Sequence, residues 1–178
     1  MTKNVLIISS SPRKNGNSDL LCNEFMKGVV EAGHNVEKIR LSDYKINFCQ
    51  ACYVCKTKGK CFQNDDMEKI LEKIDNADTI VLATPVYFYC MSAQLKTMID
   101  RTVGKYPIKG KEFYYIITST NSEKKNVEKV IDALRGFAID CTKDSKECGV
   151  IYGIGASAKG DIEKTPAFKE AFEMGKRV

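Results

Sequence analysis

Only one histidine, His34, occurs among the 178 residues, so no metal centre built on paired imidazoles is available. His34 follows Gly33 at the start of a strand-like run and reads as a surface residue. No stretch approaches the roughly 18 consecutive apolar residues that a membrane span requires. The first apolar run, residues 5–8, covers about four positions against the ~7–15 of a secretory leader. It reads better as a buried first strand, and the expected location is the cytoplasm, with no membrane partner. The net charge of +5 is spread along the chain without a block of five basic residues, which argues against a nucleic-acid partner. Neither G-x-x-x-x-G-K-S/T nor G-x-G-x-x-G follows the first strand, so two familiar nucleotide fingerprints are missing. Gly153-Ile154-Gly155-Ala156-Ser157-Ala158 matches G-x-G-x-x-A, but only 20 residues follow it, too few for a dinucleotide-binding unit, and it reads as a turn.

What is present is an ordinary globular mixture, 43% hydrophobic and 29% charged, of a length suited to one domain over 1–178. Strand and helix patterns alternate throughout. Apolar runs at 5–9, 36–41, 79–84, 113–118 and 150–154 read as strands, the continuous ones buried on both faces. Between them, Leu21, Phe25, Val29 and Ala32, closed by Gly33, share one helical face, as do Met67, Ile70, Leu71 and Ile74. Asp65 and Glu68 are placed for a variant capping box on that second helix. Met91, Leu95, Met98 and Ile99 mark a third helix, and Val127, Val130, Ile131 and Leu134 a fourth. Thr165-Pro166 opens a last one. Five strands alternating with five helices predict an α/β, doubly wound parallel sheet with right-handed crossovers and helices on both faces.

In such sheets ligands sit at the carboxyl ends of the strands, where helix N-termini point N–H groups outward. The loop after the first strand, residues 9–18, holds serines, Arg13, Gly16 and Asn17. Hydroxyls, amides and a guanidinium suit a phosphate. Composition alone leaves an ordinary polar connection equally open. After the third strand comes Pro85-Val86-Tyr87-Phe88-Tyr89. Three consecutive aromatics cannot all enter one core, so at least one ring is available to a flat ligand or caps the core beneath the loop. The third notable stretch is Cys49-x2-Cys52-x2-Cys55-x5-Cys61, inside a connection of residues 43–64 that is long for its kind. Four soft ligands so close suit a 4Fe–4S cluster or zinc, and clustered thiols in the cytoplasm also serve redox chemistry uncoordinated. The other cysteines are dispersed, and Cys22 reads as core.

The S-x-R-x-x-x-N-S pattern after the first strand and the P-x-Y-x-x-x-M-S-x-x-L-K-x-x-I-D-R stretch of residues 85–101 resemble the NADPH-dependent FMN reductase branch of the flavodoxin-like superfamily. The compact cysteine run between second strand and second helix is similar to that of the iron–sulfur flavoproteins of this fold. The resemblance covers essentially the whole chain. It implies a strand order of 2-1-3-4-5, with Ser11, Arg13, Gly16, Asn17 and Ser18 around the phosphate of FMN. It further implies Pro85, Val86, Tyr87 and Phe88 against the flavin ring, and Cys49, Cys52, Cys55 and Cys61 as cluster ligands close to the flavin. Asp100 and Arg101 are expected to anchor their helix. The activity implied is FMN-dependent transfer of electrons from NAD(P)H to a small molecule or redox protein, by a homodimer or tetramer. The rival reading is a non-enzymatic electron carrier, or a thiol or metal redox sensor.

Overall fold

Parallel strands buried on both faces must alternate their side chains between two helix layers, and the computed structural model, which describes residues 1–105 and 107–178, does this in its three central strands. β1 (Asn4–Ser9) sends Leu6 and Ile8 to one face and Val5 and Ile7 to the other. β2 (Asn35–Arg40), β3 (Thr79–Pro85), β4 (Glu112–Ser119) and β5 (Lys146–Ile154) complete a parallel sheet of order β2-β1-β3-β4-β5. Each predicted strand is found, with ends displaced by up to four residues at the start of β5.

Helix α1 (Asn17–Glu31) and helix α6 (Pro166–Gly175) cover the Val5 and Ile7 face through Leu21, Phe25, Val29, Ala171 and Met174. The other face is covered by α3 (Met67–Asn76), α4 (Ala93–Arg101) and α5 (Glu128–Arg135), whose apolar stripes pack against Leu6, Ile8, Ile80 and Leu82. One further helix, α2 (Val54–Lys58), lies inside the cysteine connection. It was not expected, because one turn with no buried residue carries no apolar period. Each large apolar side chain withdrawn from water contributes about 1.5–3 kcal/mol, so the two layers are where stability resides.

Two glycines set the distance between α1 and α6. A Cβ at Gly28 would run into the Phe172 carbonyl, and one at Gly175 into the Phe25 carbonyl. Cys22 is fully buried, and burial pushes its thiol up to about 12. His34 is half-buried and not simply a surface residue: Nδ1 accepts from Lys3 N–H at 3.3 Å and Nε2 lies 3.1 Å from the Val178 carbonyl. Among the described residues no helix is long and apolar enough to cross a membrane.

Candidate functional site

The loops leaving β1, β3, β4 and β5 all emerge at one edge of the sheet, and hydrogen bonds tie them into a rim. Ser10 N–H prolongs the β1–β3 ladder to Ala83 O (2.9 Å), and Val86 N–H donates to Thr118 O (2.8 Å). Gly155 N–H donates to Asn121 O (3.2 Å) and Ala156 N–H to Ser119 O (3.1 Å). Ser92, N-cap of α4, donates from Oγ to Ser10 Oγ at 2.8 Å, and its N–H donates to Thr84 Oγ1 at 2.9 Å. Backbone pairs, joined by the Ser92, Ser10 and Thr84 hydroxyls, therefore do the stitching.

That surface encloses a cleft of about 230 Å³. Ser11, Arg13, Gly16, Asn17 and Ser18 line it from one side, and Pro85, Val86 and Tyr87 from another. Helix α1 starts beneath it with Gly16 at the N-cap and no side chain capping its first turn. Uncapped N–H groups and the positive end of a helix dipole favour an anion there. A Cβ at Gly16 would lie 3.1 Å from both Cβ and O of Arg13, so a side chain here would crowd the loop. Arg13 is exposed, and its guanidinium has no ion-pair partner among the described residues.

Two expected residues have different surroundings from those anticipated. Asn17 lines the cleft, but its side chain is committed to the β5–α6 loop, donating to Ala156 O (3.3 Å) and Ala158 O (3.0 Å) and accepting from Gly160 N–H (3.1 Å). It acts as a clip. Phe88 stands outside the cleft lining and is fully exposed. Tyr87 and Cys90 exchange both backbone hydrogen bonds at 2.9 Å, and Phe88 and Tyr89 between them have φ of 48° and 61°. This is a two-residue turn of the type I′ kind, which throws the Phe88 ring outward.

The cleft is also lined by residues outside the two loops singled out from the sequence. Thr118 and Ser119 end β4 and Thr120 follows it, while Ala156, Ser157 and Lys159 follow β5. The turn expected at 153–158 is only partly found: Gly153 and Ile154 end β5, and the chain bends at Gly155, with φ 76°. The one signal available was topological: residues just past the carboxyl end of a strand face the same edge.

Below the rim, Asp19 shapes the first loop. Its buried carboxylate accepts from Lys38 Nζ and Asn15 N–H, both at 2.9 Å, and from Ser9 Oγ at 3.4 Å. Burial alone would raise its pKa, but Lys38 and the Asn15 N–H outweigh this and hold it below the ordinary carboxylate value.

The cysteine connection lies elsewhere. Its two ends are pinned side by side: Lys45 and Asp66 exchange bonds through Asp66 N–H to Lys45 O (3.0 Å) and Lys45 N–H to Asp66 Oδ2 (2.9 Å). Asn47 N–H donates to Asp65 Oδ2 (2.9 Å), and Gln63 Nε2 to Phe48 O (3.1 Å). Asp66, and not the expected Asp65, is the N-cap of α3. Asp65 Oδ1 accepts the Met67 N–H at 3.1 Å but is chiefly paired with buried Arg101, and these donors hold its carboxyl below the usual range against the effect of burial.

Cys49, Cys52, Cys55 and Cys61 all line a single cavity of about 410 Å³, closed by Met67 and Leu71 of α3 and by the Arg101 end of α4. Cys49 and Cys52 are exposed, Cys55 and Cys61 half-buried. Among the described residues no three cysteine, histidine or carboxylate side chains converge closely enough to hold a single ion. The cavity shares no lining residue with the rim cleft. The two flank α4, whose N-cap touches Ser10 and whose last residue lines the cysteine cavity, about 13 Å apart along the nine-residue helix. The connection starts at the rim edge and folds over the groove between α3 and α4.

The family profile described as NADPH-dependent FMN reductase matches residues 3–138. An iron-sulfur flavoprotein from Archaeoglobus fulgidus is 41% identical over 107 residues, 58% of this chain and 49% of that protein. One from Methanocaldococcus jannaschii is 46% identical over 98 residues, 55% of this chain and 51% of that protein. The chain thus spans about half the length of these curated relatives. Among solved structures, an NAD(P)H:quinone oxidoreductase from Methanothermobacter marburgensis superimposes with a TM-score of 0.77, covering 99% of this chain and 97% of that one at 17% identity. That likeness establishes the flavodoxin-like fold.

Proposed function

Because the chain belongs to the NADPH-dependent FMN reductase family, we propose that it binds FMN in the rim cleft and works as an NAD(P)H-dependent oxidoreductase on a small-molecule or protein acceptor in the cytoplasm. When bound, FMN supplies the redox chemistry, taking a hydride from reduced nicotinamide and giving electrons up singly or in pairs. The chain's own task is to bind and orient. The observation that carries this reading is the meeting of Ser11, Arg13, Gly16 and Ser18 with the uncapped start of α1, opposite Pro85, Val86 and Tyr87. One wall suits a phosphate and the other an apolar ring edge. No side chain is needed as nucleophile or base. FMN titration with fluorescence quenching tests binding, and anaerobic steady-state NADPH and NADH oxidation tests turnover. Saturable binding without turnover favours an electron carrier.

We further propose that Cys49, Cys52, Cys55 and Cys61 hold a 4Fe–4S cluster. The donor set is soft and shares one cavity. A structural zinc needs four sulfurs about 2.3 Å from one atom, whereas a cluster takes its thiolates at the corners of a larger body. The compact C-x2-C-x2-C-x5-C spacing, unlike two C-x2-C knuckles set far apart, supports the cluster over zinc. A reducing compartment keeps them unpaired. Iron and sulfide analysis after anaerobic reconstitution is expected to find about four irons per chain. One zinc, or no metal with four titratable thiols, rejects the cluster and leaves the FMN reading intact. Self-association into a dimer or tetramer is proposed as well, supported by exposed aromatics at the rim.

A further inference from the structure

A guanidinium offers five donors in a fixed plane, and burying one is costly unless they are used. Arg101 closes α4 with its side chain 2% exposed, facing an Asp65 that is 1% exposed. Its donors are divided among three segments of chain. Nη1 donates to Asp65 Oδ2 at 2.6 Å and to Asn47 O at 2.7 Å. Nη2 donates to Asp65 Oδ1 at 3.0 Å and to Cys61 Sγ at 3.5 Å. A simple ion pair tying a loop to a helix would end at the carboxylate. Here the same fork also fixes the entry of the cysteine connection at Asn47 and reaches the sulfur at its exit. Asp65 cancels the formal charge, so Cys61 meets an oriented N–H donor and not a bare cation. Gly104, just beyond, packs against Cys55: a Cβ there would lie 3.4 Å from Cys55 Cβ. The end of α4 and the turn after it thus lie against Cys61 and Cys55, while its N-cap is bonded to the loop after β1.

We infer that Arg101, held by Asp65, is a positioning residue for the cysteine site: it pre-organises the connection and, through its N–H bond to Cys61, raises the reduction potential of the group the thiols hold. The second part rests on the cluster reading proposed above; the first does not. Hydrogen bonds to coordinating sulfurs stabilise the more negative, reduced state of a cluster.

The test compares wild type with a double variant, Asp65→Asn plus Arg101→Met, which removes the donor without leaving a buried unpaired charge. A single variant, Arg101→Lys, keeps the cation but not the fork. All are full chains, with FMN titration as the check that the rim and α4 remain folded. After reconstitution, the double variant is expected to keep FMN. Its cluster is expected either to be lost or to titrate at least tenfold harder to reduce, about 59 mV more negative for one electron. Arg101→Lys should restore iron content but not the potential; a wild-type potential in it would overturn the assignment to the N–H···S bond. Iron and potential both unchanged in the double variant would overturn the inference. If wild type itself takes up no iron, the cluster reading fails, and hydrogen exchange of the metal-free chains decides Arg101 separately. Faster exchange across residues 45–65 in the double variant supports the positioning role, and equal exchange rejects it.

Discussion

Arg13 and Lys159 are the two cations on the wall of the rim cleft, and among the described residues neither has an ion-pair partner. A charge with no protein partner beside an uncapped helix start is available to a ligand phosphate. Arg13→Ala is expected to cost the 1.5–3 kcal/mol of a charge-assisted bond, roughly 10- to 150-fold in the Kd for FMN. Riboflavin, which lacks the phosphate, should bind the variant and wild type alike, and fluorescence titration of both ligands checks this. Asp19 makes a separate prediction about pH. Its pKa is lowered in the folded state, so its pair with Lys38 contributes fully above the unfolded carboxylate value and is lost as pH falls through the folded one. Stability should therefore decline below about pH 4. Asp19→Asn should flatten that decline while lowering neutral-pH stability by up to about 3 kcal/mol, as read from urea midpoints at pH 7 and pH 3. Arg13 was legible in the sequence because a guanidinium in a serine-rich βα loop has few structural uses. Lys159 was not, being one of many lysines until β5 brings it to the rim. Arg101 was legible as an anchor, but its partners Asp65 and Cys61, 36 and 40 residues away, were not.

At the scale of elements, hydrophobic period carried most of the information. The α3 and α5 stripes, Met67-Ile70-Leu71-Ile74 and Val130-Ile131-Leu134, are buried as their spacing requires. The cysteine connection escaped this reasoning because it is ordered by polar contacts, Asp65, Asp66 and Gln63 reaching back to Lys45, Asn47 and Phe48, and polar contacts have no period. The same holds for the Asn17 clip. Asn17→Ala removes three hydrogen bonds that fix the β5–α6 loop, so FMN affinity should fall even though its amide is not free to touch the phosphate. About 1 kcal/mol, near fivefold in Kd, is expected, with faster hydrogen exchange across 156–160. The α1–α6 contact is tested by Gly175→Ala. A methyl there meets the Phe25 carbonyl, so the helices must separate, at about 1–3 kcal/mol. Alanine normally favours a helix interior over glycine. A variant as stable as wild type by urea denaturation would therefore show that the two backbones are not in close contact.

Over the whole molecule, large exposed hydrophobic side chains gather at two places, Tyr87, Phe88 and Tyr89 at the rim, and Phe48, Tyr53 and Phe62 on the cysteine connection. The rim group is doubly costly to a lone chain. Phe88 and Tyr89 hold left-handed backbone conformations of φ 48° and 61° that disfavour side chains with a Cβ by about 1–2 kcal/mol each. Phe88 also leaves its entire ring in water. Glycine would suit both turn positions, so the aromatic rings are retained against local preference, and strain of this kind clusters where a surface is used. The sequence signalled the run of aromatics but not its direction, because a strand ending and a tight turn starting at Tyr87 cannot be told apart by composition. If self-association uses this rim, Phe88→Gly acts in opposite directions on two measurements. Removing strain should raise the stability of the dilute monomer by up to about 1 kcal/mol, seen as a higher urea midpoint. Removing the ring should weaken association, so that light scattering at micromolar concentration finds more of the 20.0 kDa species than in wild type. FMN affinity should change little, since Phe88 stands outside the cleft lining. An unchanged oligomer with weakened FMN binding would assign the ring to the flavin instead, as the resemblance first implied.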